Sequence, residues 1–239
     1  MNDNIIVSLT SHGERIEHCT KTIFSIIKGS IKTKIVLTVY ENDLHKVYCS
    51  DNLRCFIDNG IIELIVADKD FGPHLKYFYT MKKYPNSIII TVDDDILYEE
   101  NMIKKLLFSH LKYPHDIIAN RCHFIKTLDY NKWEREIKQC TRSHHNFATG
   151  VGGVLYPKGC FSLSKENERE ILDIKFADDI YLKLLELRNN RIVLNLHNLN
   201  FKTLYDNVFE QTALYKMNLN NNRNNVYLRK FANEFKQLL

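Results

Sequence analysis

The stretch Ile88-Ile89-Ile90-Thr91-Val92-Asp93-Asp94-Asp95-Ile96-Leu97-Tyr98 constrains the chain more than any other. Its run of branched side chains reads as a buried strand. The strand then passes straight into three carboxylates. Charges at the end of an apolar run are costly unless something pairs with them. A hard divalent cation does so through oxygen ligands. Ligands of open α/β sheets bind outside the carboxyl ends of strands. An isolated acidic triplet is usually a solvated turn; the apolar strand directly before it favours a metal site.

The rest of the chain supplies a sheet for that strand. Strands are predicted over Asn4 to Leu9, Lys34 to Tyr40, Ile61 to Val66 and Ile88 to Asp93. Helices are predicted from Glu14 to the stop at Gly29, from Asp43 to Asp58, from Leu75 to Lys83 and from Glu99 to Lys112. This alternation predicts an α/β fold with a mostly parallel central sheet flanked by helices. After Tyr113-Pro114 the rhythm changes. A short strand at Asp116 to Ala119 precedes an irregular, His-, Lys- and Arg-rich stretch over 121–149. Gly150 to Tyr156 leads into another strand. Helices over Ser164 to Leu172 and Ala177 to Asn189, and a last strand over Arg191 to Leu196, follow. The expected organisation is one domain over 1–217, in two halves, 1–112 and 113–217. A linker and helical tail occupy 218–239.

Composition excludes several classes. The chain has 239 residues, 44% of them hydrophobic, enough for one sizeable core. A net charge of +4 is a mild basic excess and gives no nucleic-acid signature. It suits an anionic ligand or a peripheral membrane contact. No apolar run reaches the length of a spanning helix. The polar start Met1-Asn2-Asp3-Asn4 does not read as a signal peptide. The six scattered cysteines form no C-x-x-C pair, so free thiols in a cytoplasmic setting are expected and a zinc site is not.

Several residues point to a nucleotide-diphosphate ligand. A metal at the triplet can neutralise a pyrophosphate. The turn Thr10 to Arg15, after the first strand, offers hydroxyls, backbone N–H groups and a guanidinium to phosphates or a nucleoside, although a capped helix start would look the same. Lys76, in Asp70-Phe71-Gly72-Pro73-His74-Leu75-Lys76, lies beyond the third strand and can reach a phosphate; a rigid turn with a solvated lysine is the bland alternative.

Five motifs occur in one order: S-L-T-S-H-G-E-R-I, F-G-P-H-L-K-Y, I-I-I-T-V-D-D-D-I-L-Y, G-V-G-G-V-L-Y-P and A-D-D-I-Y-L-K. Over residues 4 to about 195 the chain resembles bacterial glycosyltransferases of the GT-A (Rossmann-like) fold, of the family-two-like kind found in surface-polysaccharide and lipopolysaccharide synthesis. The resemblance implies a nucleotide-binding half over 1–112 and an acceptor half over 113–217, and that Asp95 binds Mn²⁺ or Mg²⁺ bridging the donor diphosphate. It implies that Asp93 contacts the ribose or the metal shell and that Asp94 faces the donor sugar. Thr10, Ser11 and Arg15 would hold the nucleoside, with Lys76 near it. Gly152 and Gly153 would let the backbone approach the sugar. Asp178-Asp179 stands where inverting relatives keep the catalytic carboxylate, commonly as Glu-Asp; either residue can act, and Asp179 is favoured. In a retaining enzyme this carboxylate would orient the substrate instead. His197 is the candidate third metal ligand.

The implied reaction moves a hexosyl or hexosaminyl group from a nucleotide-sugar donor, most simply UDP-linked, to an oligosaccharide or lipid-linked acceptor. A phosphatase, a nucleotidyltransferase and a non-catalytic nucleotide-sugar-binding module are the rival readings. Arg121, His123, His144 and His145 are further candidates for substrate contact. Tyr130 and Trp133 are candidates for stacking on a sugar, with the core as the commoner place for such aromatics. Finally, Leu228, Phe231, Ala232, Phe235, Leu238 and Leu239 fall on one helical stripe flanked by Arg223, Arg229, Lys230 and Lys236. That stripe fits a peripheral anchor on an anionic inner membrane face, closure over the chain's own core, or a homodimer contact.

Overall fold

A computed structural model describes residues 4–204 and 222–239. Eight strands build its central sheet: β1 (Ile5–Thr10), β2 (Lys34–Tyr40), β3 (Ile62–Ala67), β4 (Ile88–Thr91), β6 (Ile117–Ala119), β8 (Thr141–Ser143), β10 (Val154–Tyr156) and β11 (Val193–Asn195). Their order across the sheet is β3-β2-β1-β4-β10-β6-β11-β8. The first four are parallel, with Val7 opposite both Ile35 and Ile90. β10 runs against both β4 and β6, and β8 runs against β11. The mostly parallel sheet expected from the sequence is therefore present, with β10 reversed at its middle.

The period-two alternation of each strand divides the core into two layers. Ile6, Val36 and Ile89 face one side, under α4 (Phe78–Lys83) and α7 (Asp178–Arg188). Val7, Leu9, Leu37 and Ile90 face the other, under α1 (Arg15–Ile27), α3 (Asp51–Asp58) and α5 (Met102–Lys112). Charged ends at this sheet are thus held between two apolar layers, which fixes where they emerge.

Several local departures have clear causes. The helix expected over Asp43 to Asp58 is broken into α2 (Leu44–Cys49) and α3 by Ser50, whose backbone is extended and whose Oγ accepts the Leu53 N–H at 3.3 Å. The helix expected from Glu99 begins at Met102, because Ile96–Tyr98 form β5, paired with β12 (Phe201–Thr203). The helix expected from Leu75 begins at Phe78, after a 3-10 turn over Gly72–Lys76. The region read as irregular contains β8 and a second small pair, β7 (Cys122–Phe124) with β9 (Asn146–Ala148). His144 and His145 form the β8–β9 turn, their Nδ1 atoms paired with the carbonyls of Arg191 and Ile125. α6 (Lys165–Asp173) opens on a Ser164–Asn167 capping box.

The tail selects among the three readings of its apolar stripe. Its apolar stripe does not face outward. α8 (Arg223–Lys230) and α9 (Ala232–Lys236) turn Leu228, Phe231 and Phe235 into the α7 side of the core, where all three are buried. Arg188 of α7 pairs with Glu234 at 2.9 Å, and Asn225 accepts the Tyr130 N–H at 2.6 Å. The stripe closes over the chain's own core, which removes the reason to assign it to a membrane or a dimer. The expected boundary at 217–218 lies outside the described residues. All six cysteines are free thiols. Among the described residues no helix is long and apolar enough to cross a membrane.

Candidate active site

The acidic triplet emerges at the carboxyl end of β4, beside the end of β1, and meets the first turn of α7 through Lys76. It divides into two faces.

The inner face is built on Asp94, whose carboxylate is nearly inaccessible. Ser11 Oγ donates to its Oδ2 at 2.6 Å, and Arg15 Nε donates to the same oxygen at 3.1 Å. Arg15 Nη2 donates to Asp94 Oδ1 and reaches Asp95 Oδ2 at 3.0 Å. Thr22 Oγ1 donates to the Asp94 carbonyl at 2.9 Å. Both carboxylate oxygens are thus satisfied by the turn after β1 and the start of α1, a bidentate arginine pair that matches guanidinium to carboxylate. Burial works against the Arg15 charge, but Asp94 and Asp95 outweigh it and hold its pKa above the ordinary value. Ser11, Arg15 and Asp94, expected to touch the donor, are engaged with one another. Thr10 Oγ1 donates to the Thr38 carbonyl at 2.7 Å.

The outer face is built on Lys76. The loop carrying it is tied to the approach to α7: buried His74 pairs with Tyr77 Oη at 2.7 Å and the Ile174 carbonyl at 3.3 Å. Lys175 pairs with Asp70 at 2.6 Å. These ties place Lys76 Nζ between two carboxylates, 2.8 Å from Asp93 Oδ1 and 2.6 Å from Asp178 Oδ2. Burial opposes its charge, yet Asp178, Asp93 and Asp179 hold its pKa well above the usual lysine range. Burial likewise pushes Asp178 up, but Lys76 overrides it and keeps the carboxyl below its usual value. Asp179 differs. It accepts the Gly150 N–H at 3.2 Å, and burial beside Asp178 raises its pKa. The two neighbours are thus pushed apart, Asp178 to a fixed anion and Asp179 toward a proton acceptor that titrates nearer neutrality.

Two residues beyond the candidates named from the sequence complete this face. A Cβ on Gly150 would lie 2.7 Å from Lys76 Nζ and 2.9 Å from Asp93 Oδ1, so any side chain there would displace that pair. Tyr98 Oη accepts the Asp93 N–H at 3.0 Å and donates to the Val151 carbonyl at 3.2 Å, linking the triplet to the glycine turn. Both stand inside the quoted motifs, but nothing in their spacing singles them out. Gly152 instead packs on Asn120 and Arg121, and Gly153, at φ +85°, on Met102 and Tyr98.

The charges do not balance. Among the described residues, Asp93, Asp94, Asp95, Asp178 and Asp179 pair only with Arg15 and Lys76. Asp95 carries the strain: burial, then Asp93 and Asp94, push its pKa up to about 6. Asp93 and Asp95 are the triplet members with accessible side chains, 27% and 25% exposed. A divalent ion fits this deficit. Among the described residues no three His, Cys, Asp or Glu side chains form a metal cage, so protein carboxylates would supply only part of a coordination shell. That is how Mg²⁺ is commonly held, with substrate phosphates and water completing it. His197 joins no such group. It lies against α5, with Lys104, Lys105 and Phe108, and its backbone is left-handed at φ +49°.

Other candidates are structural in their contacts. His123 is buried, accepts the Glu136 N–H at 3.0 Å and stacks on Phe147; burial and the nearby Arg121 lower its pKa to about 3, so it is neutral. Trp133 is buried against Tyr130 and Phe147, with Nε1 donating to the Thr127 carbonyl at 2.8 Å. Arg121 pairs with Glu136 at 2.9 Å and with Thr149.

No protein-family model matches the chain, and neither does any curated protein sequence. Solved structures do match in fold. The S. aureus TarS 1–349 structure in complex with UDP-GlcNAc aligns with TM-score 0.54 at 14% identity, covering 87% of this chain and 60% of that one. The same TarS fragment in complex with UDP aligns with TM-score 0.52 at 13% identity, covering 83% and 59%. The chain therefore spans about three-fifths of the length of those structures. At such identity the likeness is one of fold: a mixed α/β domain around a large, mostly parallel sheet.

Proposed function

We propose that this chain is a glycosyltransferase that takes a nucleotide-diphosphate sugar, with a UDP-sugar as donor, and transfers a hexosyl or hexosaminyl group to a saccharide acceptor. The observation that carries the reading is the outer face: Asp93 and Asp178 share Lys76 while Asp179 stands beside them with a raised pKa. Supporting it, the fold is like that of TarS structures solved with UDP and UDP-GlcNAc. Asp95 and Asp93 would hold Mn²⁺ or Mg²⁺, which when bound supplies charge to stabilise the leaving diphosphate.

The protein's own residues then have distinct tasks. Arg15 and Ser11 fix the triplet from behind, so Asp93 and Asp95 present their oxygens without reorganising. Lys76 sets the distance between the donor end, at Asp93, and α7, at Asp178. Asp179 Oδ atoms accept the proton of the attacking acceptor hydroxyl, a task for which a carboxylate with a raised pKa is suited. Asp178, an anion fixed by Lys76, is the weaker base.

A UDP-release assay over a panel of UDP-sugars, with and without Mn²⁺ and with saccharide acceptors, tests the proposal. Metal-dependent UDP release stimulated by an acceptor is expected. UDP binding without release or transfer would make the chain a binding module. Release of inorganic phosphate from a monoester would make it a phosphatase.

A further inference from the structure

The two most exposed large apolar side chains described, Phe108 at 76% and Leu111 at 80%, sit on one helix, α5. They lie three residues apart and so are neighbours on its outer surface. Lys104 precedes Phe108 by one turn, and Lys112 follows it by one turn. From Asn101 to His115 there is no carboxylate, while Lys104, Lys105 and Lys112 are all present. Lys105 is taken by Glu99 at 2.5 Å. Among the described residues Lys104 makes no ion pair or hydrogen bond, and Lys112 only lies over the Tyr113 ring, 5.2 Å from its centroid. Arg142 reaches the same ring at 5.4 Å but is neutralised by a bidentate pair with Asp116. The inner face of α5, by contrast, is ordinary core: Met102, Ile103 and Leu106 are buried under β6 and β10.

Among the described residues nothing covers this Phe–Leu pair, which forms an apolar patch bordered by lysines. We propose that this outer face of α5 is a docking surface for an anionic lipid bilayer. Phe108 and Leu111 enter the boundary between headgroups and acyl chains, and Lys104 and Lys112 meet the headgroup phosphates. An apolar pair flanked by Lys104 and Lys112, on a helix without carboxylates, complements that surface. The surface is distinct from the buried stripe of the tail, so it does not depend on residues 223–239. Nor does it depend on the transferase reading, since none of these residues belongs to the carboxylate site.

Flotation of the full chain with phosphatidylglycerol-containing vesicles, and separately with phosphatidylcholine alone, tests the inference. The chain is expected to float with the anionic vesicles, to do so less as salt rises, and to stay behind with the neutral ones. Phe108→Ser with Leu111→Ser is expected to lower the bound fraction roughly tenfold while leaving thermal unfolding unchanged, because both side chains are exposed in the native state. Lys104→Glu with Lys112→Glu is expected to do the same through charge. A chain that never floats, or variants that float as the parent does, would overturn the proposal. So would a parent that sediments as a dimer while the double Ser variant sediments as a monomer, which would assign the face to a second copy of the chain.

Discussion

The two cations of the candidate site occupy opposite sides of one acidic triplet and do different things. Arg15 is buried behind it, bidentate on Asp94, among hydroxyls that leave no oxygen free. Lys76 stands before it, shared between Asp93 and Asp178, next to a glycine turn and the half-buried Asp179. The inner pair is a closed set of contacts and so belongs to stability. The outer set is short of positive charge and so belongs to ligand binding and chemistry. Neighbouring residues of one motif are thereby divided between fold and function by which way each carboxylate turns.

The largest expected effect lies on the outer side. Asp179→Asn should lower transfer by about 10²–10⁴-fold and leave donor affinity nearly unchanged, since a general base acts on the acceptor proton in the transition state. Steady-state kinetics alongside donor titration will show it. If Asp178→Asn gives this pattern and Asp179→Asn does not, the roles within the pair are reversed.

On the inner side the effect should appear as lost stability. Arg15→Met leaves Asp94 buried without its partner, at a cost of about 3–5 kcal/mol. For a chain of this size that lowers the melting temperature by roughly 6–20 °C. Lys76→Met should lower it less, because Asp93 is 27% exposed and the buried Asp178, which also loses its partner, can take up a proton. Equal losses in thermal denaturation would break the comparison.

The acidity of Asp95 gives the comparison a pH axis. Its folded pKa is raised, so between the ordinary carboxylate value and about 6 the folded state binds more protons than the unfolded one. Stability of the metal-free chain should therefore fall as pH rises through that window. Affinity for Mn²⁺ with UDP should rise over the same window, because the metal requires the ionised form. A flat affinity profile between pH 4 and 7 (roughly the span over which this group titrates) would show that Asp95 takes no part.

A smaller effect is expected at Gly150. The Cβ of Gly150→Ala meets Lys76 Nζ at 2.7 Å and Asp93 Oδ1 at 2.9 Å, two side-chain ends that must move apart to admit it. Donor affinity should weaken by about tenfold, worth about 1.4 kcal/mol, with little change in melting temperature.

What the sequence disclosed and what it withheld follow from the range of the interactions. The β4 strand, its carboxylates and the strand–helix alternation are local patterns, and the α/β sheet follows from them. The direction of Asp94 is not local: Ser11, which fixes it, is 83 residues away, and a run of three aspartates has no periodicity to mark an inner member. The three-residue strands β5, β7, β8, β9 and β12 are too short to show alternation. The tail stripe is legible as a face that must be buried, but an amphipathic pattern carries no information on whether core or lipid receives it. The structure answers that with Leu228, Phe231 and Phe235 in the core. It also leaves Leu111 of α5 exposed beside Phe108, although the helical spacing groups Leu111 with Ile103, Leu106, Leu107 and His110 on one side.

Calorimetric titration of UDP in the presence of Mn²⁺ tests the central claim most directly, run on the parent chain, Asp95→Asn and Asp94→Asn, each with its melting temperature. The account predicts metal-dependent UDP binding by the parent, its loss in Asp95→Asn without any lowering of the melting temperature, and a melting temperature lowered by several degrees in Asp94→Asn. UDP binding that is absent from the parent, or that survives Asp95→Asn intact with Mn²⁺ still required, would contradict the account.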